Sequence, residues 1–168
     1  GGLPPGWLGW GGVFGVGTLH GPADVAGCLA GREARSVVGE VARRLPLVWP
    51  MHPRARANIE GFGLSTLLDD SAITLLPPQG YLEMLGLMAN ARLVLTDSGG
   101  IQEETTALAI PCLTMRENTE RPITVAQGTN TLVGRNLEQT LACVDAIFTS
   151  GGKSSRVPEL WDGHAVER

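Results

Sequence analysis

The sequence has little positive charge. Of its 168 residues only 18% are charged, the net charge is −4, and Lys153 is the single lysine. The arginines are scattered and form no basic stripe. Nucleic acid and anionic membrane surfaces are therefore excluded as expected partners, because both are bound through clustered cations.

Cysteine is scarce as well, and long apolar runs are missing. Cys28, Cys112 and Cys143 are widely spaced and form no CxxC or Cys/His ligand pattern. They predict small buried side chains in a reducing compartment rather than a metal site. No run approaches the ~20 apolar residues that span a bilayer, and the apolar N-terminus lacks the basic residues of a signal peptide. We expect a cytoplasmic protein that needs no metal or cofactor.

The composition that remains is typical of one globular domain. Hydrophobic residues make up 43% of the chain, which is enough to form a core at this length. Residues 1–12 differ, because they are rich in glycine and proline and show no periodicity. We expect an irregular flank over residues 1–12 and a folded domain over residues 13–168.

From residue 13 onward, short apolar runs alternate with segments of helical period. The predicted strands are Val13–Leu19, Leu45–Met51, Ala72–Leu76, Arg92–Thr96, Pro111–Met115 and Thr131–Gly134. The predicted helices are Ala26–Arg44, Arg54–Phe62, Gly80–Asn90, Gly100–Ala109 and Leu137–Phe148. Apolar strands between amphipathic helices predict an α/β fold with a doubly wound parallel sheet of about six strands. In such sheets the ligand binds beyond the carboxyl ends of the strands.

The best candidate site follows the fourth predicted strand, in the segment Asp97–Glu104 (DSGGIQEE). Gly99 and Gly100 let an anion approach the free N–H groups at the start of a helix, and Ser98 can add a hydroxyl donor. Glu104 lies one helical turn further, where it can accept hydrogen bonds from a ribose diol. The segment predicts a nucleotide site. The alternative is an ordinary turn with a serine cap.

A second candidate segment, Arg116–Pro122 (RENTERP), follows the fifth predicted strand and so emerges at the same edge of the sheet. Arg121 precedes a proline and offers a planar fork that fits a diphosphate. Arg116 is a further possible contact. The alternative is a solvated charged loop.

Two histidines and a glutamine follow the remaining strands. His20 and His52 come directly after the first and second strands, so ligand contact by at least one of them is the hypothesis. Gln79 and Met84 follow the third strand and can supply a polar edge and an apolar face for a base. The alternatives are structural histidines and a turn followed by a core methionine.

Taken together, these segments resemble the non-hydrolysing UDP-N-acetylglucosamine 2-epimerases. The run LVLTDSGGIQEE (Leu93–Glu104), followed by TMRENTERP (Thr114–Pro122), carries the resemblance. The segments TLHGPADV, PQGYLEML and GTNTLVG support it, and the order and spacing match from Val13 to Arg168. The resemblance implies one Rossmann-like half of a two-domain fold of the glycosyltransferase-B type, with the family's N-terminal domain absent.

The resemblance also implies roles for the candidate residues. Ser98, Gly99 and Gly100 correspond to the residues that hold the diphosphate of UDP in the family. Glu104 corresponds to the ribose contact, and Arg121 reaches a phosphate.

Other positions match the family less completely. Gln79 and the position of Met84 line the uracil pocket by resemblance, although the family often has phenylalanine where Met84 stands. His20 corresponds to the active-site histidine. The family usually continues with Arg-x-Glu-Asn after that histidine, whereas this chain has GPAD at residues 21–24. An allosteric sugar-nucleotide contact from this loop is therefore not expected.

The implied reaction interconverts UDP-N-acetylglucosamine and UDP-N-acetylmannosamine by elimination and re-addition of UDP. The acids that move the C2 proton belong to the N-terminal domain of the family, and the intact family enzyme is expected to be a homodimer. Two alternatives are a UDP-sugar glycosyltransferase domain and a non-catalytic UDP-sugar-binding fragment. The TERP turn after QEE favours the epimerase.

Overall fold

A parallel sheet of six strands, in the order β3-β2-β1-β4-β5-β6, forms the centre of the molecule. The computed structural model describes residues 13–19, 34–61, 72–134, 136–153, 156–159 and 161. The strands are β1 (Gly15–Thr18), β2 (Leu47–Pro50), β3 (Ile73–Leu76), β4 (Leu93–Thr96), β5 (Cys112–Thr114) and β6 (Asn130–Leu132). All neighbouring strands run parallel, which confirms the predicted doubly wound sheet.

The helices lie on both faces of this sheet. In the described residues they are α1 (Ala34–Arg44), α2 (Pro53–Gly61), α3 (Tyr81–Asn90), α4 (Gly99–Leu108), α5 (Pro122–Ala126) and α6 (Leu137–Ser150). None of them is long and apolar enough to cross a membrane.

Alternation along the buried strands divides the core into two layers. In β2, Trp49 packs in the layer that includes Val41 of α1 and Ile147 of α6. Its neighbour Val48 packs in the opposite layer with Met88 of α3. Because successive strand residues point to opposite faces, continuous apolar strands are the sequence pattern of a sheet covered on both sides.

The predicted elements differ from the observed ones mainly at their ends. The first strand was predicted over Val13–Leu19 but pairs only over Gly15–Thr18. Leu19 and Leu45 are buried outside the strands, so an apolar run reports burial rather than strand pairing. The flank 1–12 and the first part of the predicted helix Ala26–Arg44 lie outside the described residues.

Helix α5 was not predicted. It is only five residues long and begins at Pro122, the last residue of the charged segment. Five residues are too short to show a helical period, although proline is common in the first turn of a helix. Its presence means that the predicted loop Arg116–Pro122 leads directly into a helix.

The order in which the strands are added to the sheet reverses between β1 and β4, and this position is the switch point of the sheet. The chain adds β2 and β3 on one side of β1, then returns to form β4, β5 and β6 on the other side. Thr18 and Thr96, the last residues of β1 and β4, stand side by side in register. A crevice at such a switch point is where doubly wound sheets bind their ligands.

Candidate functional site at the switch point

A cavity of about 260 Å³ opens at the carboxyl edge of the sheet. Four of the predicted site residues line it, from three segments of the chain: His52 after β2, Gln79 and Met84 after β3, and Ser98 after β4. Thr18 contributes to its wall at the end of β1. The structure therefore brings together residues that lie far apart in the sequence, from Thr18 to Ile101.

Met84 and Ile101 supply apolar surface to this cavity, from α3 and α4 respectively. Gln79 supplies an amide, whose Nε2 donates to the carbonyl oxygen of Pro77 at 2.8 Å. A slot with apolar walls and an amide at its edge suits a flat heterocyclic base. This arrangement fits the base-binding role predicted for Gln79 and Met84, which stays a prediction.

The start of α4 forms the polar end of the same cavity. Ser98 is the N-cap residue, and among the described residues its side chain accepts no hydrogen bond from the helix. Its backbone N–H donates to Oγ1 of Thr96 at 3.0 Å. Gly99 and Gly100 begin the helix, and a Cβ placed on Gly100 would meet no described atom within 4 Å. A helix start without a capping side chain presents N–H donors and a positive dipole end to an anion.

Glu104 lies one turn further along α4 and does not line the cavity itself. Desolvation raises the pKa of its carboxyl above the ordinary value, and repulsion from the neighbouring Glu103 carboxylate adds to the rise. A partly buried carboxylate beside a second one is stabilised when a hydroxyl donor reaches it. The predicted ribose contact fits this electrostatic setting.

Arg121 is placed beside α4 rather than in the cavity. Its Nε is 3.0 Å from Oε1 of Glu103, with both side chains about half exposed. Arg116 lies nearby and pairs with Glu120, Nη2 to Oε1, at 3.2 Å. Both arginines that the sequence predicts as phosphate contacts are thus held by carboxylates of the same site.

Glu120 is a site residue that the sequence analysis missed. A Cβ placed on Gly99 would lie 3.6 Å from Oε2 of Glu120, so this carboxylate lies beside the start of α4. The positive end of a helix attracts carboxylates as well as phosphates. A diphosphate bound at Gly99 therefore has to share this region with Glu120 or displace it.

Of the two histidines predicted as ligand contacts, the structure describes His52 but not His20. His52 lines the cavity, and its Nδ1 accepts a hydrogen bond from the N–H of Arg54 at 3.2 Å, at the start of α2. It therefore combines a structural contact with a place in the candidate site. His20, the predicted active-site histidine, lies outside the described residues.

Three threonines lie side by side at the carboxyl edge of the sheet, next to the candidate site. The sequence analysis did not identify them. Thr18, Thr96 and Thr114 end the three adjacent strands β1, β4 and β5 in register. Oγ1 of Thr18 donates to Oγ1 of Thr96 at 2.6 Å, and both residues are buried. The signal in the sequence was an apolar run that ends on threonine three times.

No group of three or more His, Cys, Asp or Glu side chains suited to a metal ion occurs in the part of the chain that the structure describes. Cys112 is buried, and burial raises the pKa of its thiol to about 11. A thiol with so high a pKa is a poor nucleophile and a poor metal ligand.

A doubly wound sheet with a glycine-rich, uncapped helix start at its switch point defines a Rossmann-like domain, a class of fold that binds its ligands at this place. The family model described as UDP-N-acetylglucosamine 2-epimerase matches residues 12–168. The chain therefore belongs to the UDP-N-acetylglucosamine 2-epimerase family.

Individual relatives agree with this assignment. The chain is 46% identical over 105 residues to the UDP-N-acetylglucosamine 2-epimerase of Methanococcus maripaludis. The matched stretch covers 62% of this chain and 29% of that protein. The structure of UDP-GlcNAc 2-epimerase from Methanocaldococcus jannaschii matches with a TM-score of 0.77 and 35% identity, over 84% of this chain and 40% of that one. The same enzyme in complex with UDP-GlcNAc and UDP matches with a TM-score of 0.70 and 36% identity, over 82% and 39%.

The chain thus spans well under half the length of these relatives. The six-stranded sheet of the described residues corresponds to one Rossmann-like half of a glycosyltransferase-B type fold, as the resemblance implied.

Proposed function

We propose that this chain is the UDP-binding half of a UDP-N-acetylglucosamine 2-epimerase, the isomerase that interconverts UDP-N-acetylglucosamine and UDP-N-acetylmannosamine. The observation that carries the proposal is the cavity at the switch point, which joins an apolar slot to the uncapped start of α4. An apolar slot for a base next to a helix start for phosphates is the arrangement that a nucleotide requires.

The proposed contacts account for each of the three groups of UDP. The uracil lies between Gln79 and Met84, and the diphosphate meets Ser98 and the N–H groups of Gly99 and Gly100. The ribose diol donates to Glu104, and this hydrogen bond offsets the cost of desolvating the Glu104 carboxylate. The ion pair between Arg121 and Glu103 breaks, and the planar guanidinium of Arg121 then donates to a phosphate oxygen.

The sugar then points away from the sheet edge, towards the family's other domain. Inversion at C2 by elimination of UDP and re-addition requires a base and an acid that face the sugar ring. We assign these groups to the N-terminal domain, since the chain covers only 29–40% of its relatives. His20 is the proposed active-site residue that this half contributes. The chain by itself is expected to bind UDP without turnover.

Further features belong to the same proposal. The free cysteines Cys112 and Cys143 support a location in the reducing cytoplasm. We propose that the intact enzyme is a homodimer and that its product is used in the synthesis of polysaccharides.

Calorimetric titration of the purified chain tests the proposal. Wild-type protein is expected to bind UDP, and Glu104→Ala is expected to raise the UDP Kd by roughly tenfold or more, because a charged hydrogen bond is lost. Binding of inorganic pyrophosphate, which has no ribose, should not weaken in this variant. Glu138→Ala removes an exposed carboxylate on α6 and serves as the matched control. Equal losses of UDP and pyrophosphate binding in Glu104→Ala contradict the ribose assignment.

A further inference from the structure

A closed ring of hydrogen bonds encloses the backbone of Arg121. The N–H of Arg121 donates to Oγ1 of Thr119 at 2.9 Å, and the Thr119 hydroxyl donates to Oε1 of Gln102 at 2.6 Å. Nδ2 of Asn130 donates to the same Gln102 oxygen at 2.9 Å and to Oγ1 of Thr124 at 3.0 Å. The Thr124 hydroxyl then donates to the carbonyl oxygen of Arg121 at 2.7 Å, which closes the ring.

Three members of this ring, Gln102, Thr124 and Asn130, are completely buried. Each belongs to a different element: α4, α5 and β6 respectively. The hydroxyl of Thr114, the last residue of β5, donates to Oδ1 of Asn130 and so orients that amide. Every hydrogen bond around the ring is made, while the remaining donor of Gln102, Nε2, is buried and has no partner among the described residues. A buried side-chain network that closes in this way holds its members in one geometry.

The ring has its centre on the helix whose start is the proposed diphosphate site. Oε1 of Gln102 accepts from both Thr119 and Asn130, and Gln102 lies only two residues beyond Gly100. The side chain of Arg121 is tied to α4 as well, through Glu103. The main chain of Arg121 is thus held at a set distance from the N–H groups that open α4.

We propose that Gln102, Asn130 and Thr124 are positioning residues that fix the backbone of Arg121 relative to the start of α4, so that both meet one diphosphate. The inference rests on the proposed UDP site and adds residues that do not touch the ligand. A planar guanidinium forms two parallel hydrogen bonds to a phosphate only from a narrow range of backbone positions. A small displacement of a binding group is enough to lose much of its contribution.

The chain offers a matched pair of variants for the test. Thr124 and Thr140 are both completely buried, and each hydroxyl donates to a backbone carbonyl oxygen at 2.7 Å. The carbonyl belongs to Arg121 in the first case and to Asn136, at the start of α6, in the second. Replacement by valine removes this donated hydrogen bond in both variants. Only Thr124→Val also removes the hydrogen bond that Asn130 donates, and so only this variant opens the ring.

Titration of the full chain with UDP and with uridine separates positioning from stability. We expect Thr124→Val to raise the UDP Kd by about fivefold, while Thr140→Val leaves the Kd unchanged although it also lowers Tm. Uridine lacks the diphosphate, so its weaker binding should be the same in wild type and in both variants. In an Arg121→Ala background, Thr124→Val should have no further effect on UDP.

Amide hydrogen exchange gives a readout that needs no ligand. Gln102→Met removes the acceptor at the centre of the ring, so the N–H of Arg121 should exchange with solvent faster than in wild type and in Thr140→Val. Unchanged exchange at Arg121, or equal UDP Kd values for Thr124→Val and Thr140→Val, overturns the positioning role while the UDP site itself stands. A wild-type chain that binds neither UDP nor pyrophosphate overturns the proposed function instead, and the inference with it.

Discussion

Glu104 is the residue at which the demands of the fold and of the proposed ligand oppose each other most clearly. Partial burial and the adjacent Glu103 both disfavour its ionised form and raise its pKa. A ribose diol, in contrast, is a donor and needs that ionised form as its acceptor. Residues whose pKa values are perturbed in this way are concentrated at functional sites.

This opposition gives a prediction for stability. The pKa of Glu104 in the folded chain lies above the ordinary value of 4.5, so the folded state binds the proton more tightly than the unfolded state. The penalty for burying the charge is therefore fully present above the folded pKa, and it fades as the pH falls to 4.5 and below. We expect Glu104→Gln to raise Tm slightly at pH 7 but not at pH 4, measured by circular dichroism.

Glu138→Gln is the matched control, since it removes an exposed carboxylate in the first turn of α6. Near a helix start a carboxylate is favourable, so this variant should not raise Tm at pH 7. A Glu104→Gln chain that is less stable than wild type at pH 7 contradicts the account of Glu104.

Arg121 is the second residue with a specific prediction. Arg121→Ala should weaken UDP binding by roughly 10- to 100-fold, the range typical of one charged hydrogen-bonding group. Arg121→Lys should recover only part of this loss, because a point charge cannot replace a planar two-pronged donor. Calorimetry checks both values. Complete recovery by lysine reduces Arg121 to a general electrostatic contributor.

At the level of elements, the contact between α4, α5 and β6 depends on a single glycine. A Cβ placed on Gly128, which precedes β6, would lie 2.4 Å from Oγ1 of Thr106 and 2.7 Å from the backbone oxygen of Thr124. Backbone cannot yield as a flexible side chain can, so no larger residue fits without moving α5. Gly86, in the interior of α3, is different, because a Cβ there meets no described atom within 4 Å.

These two glycines should respond in opposite directions to the same substitution. We expect Gly128→Ala to lower the free energy of unfolding by about 1–3 kcal/mol, through overpacking. Gly86→Ala should raise it by about 0.5–1 kcal/mol, since alanine is the better helix former and has room. Urea denaturation measures both changes. A Gly128→Ala chain as stable as wild type shows that α5 can shift freely.

The elements also show what the sequence could and could not predict. Strand β4 and helix α4 were predicted within a residue or two, because a buried strand, two glycines and an amphipathic helix each leave a strong local pattern. Helix α5 and the ring around Arg121 were missed. The ring joins positions 102, 119, 124 and 130, and no local period relates residues that meet only through the tertiary fold.

The candidate site was predicted in the same uneven way. Gln79, Met84 and Ser98 come together at one cavity because parallel strands end at one edge of the sheet, and that rule can be applied to a sequence. The carboxylate of Glu120 beside Gly99 was not foreseen. Its position depends on the path of the chain after β5, which composition does not determine.

For the whole molecule, the proposed function divides one reaction between two domains. This half presents the cavity at the switch point and the start of α4, and its relatives extend far beyond the length it spans. Closing a second domain over the sugar orients the reacting atoms and excludes water, and a positioned base typically adds ~10²–10⁴-fold in rate. Without that domain, the bound sugar nucleotide should not react.

One proton NMR experiment tests the proposed division between nucleotide binding and catalysis most directly. The purified chain is incubated with UDP-N-acetylglucosamine in D₂O. Saturation transfer to the ligand and deuterium exchange at C2 of the sugar are followed in the same sample. We predict saturation transfer from the protein to the uracil and ribose protons, with the C2 proton of the sugar retained. A His20→Ala chain serves as the control. Deuterium that enters C2 faster than in this control, or the absence of transfer to the uracil, contradicts the account.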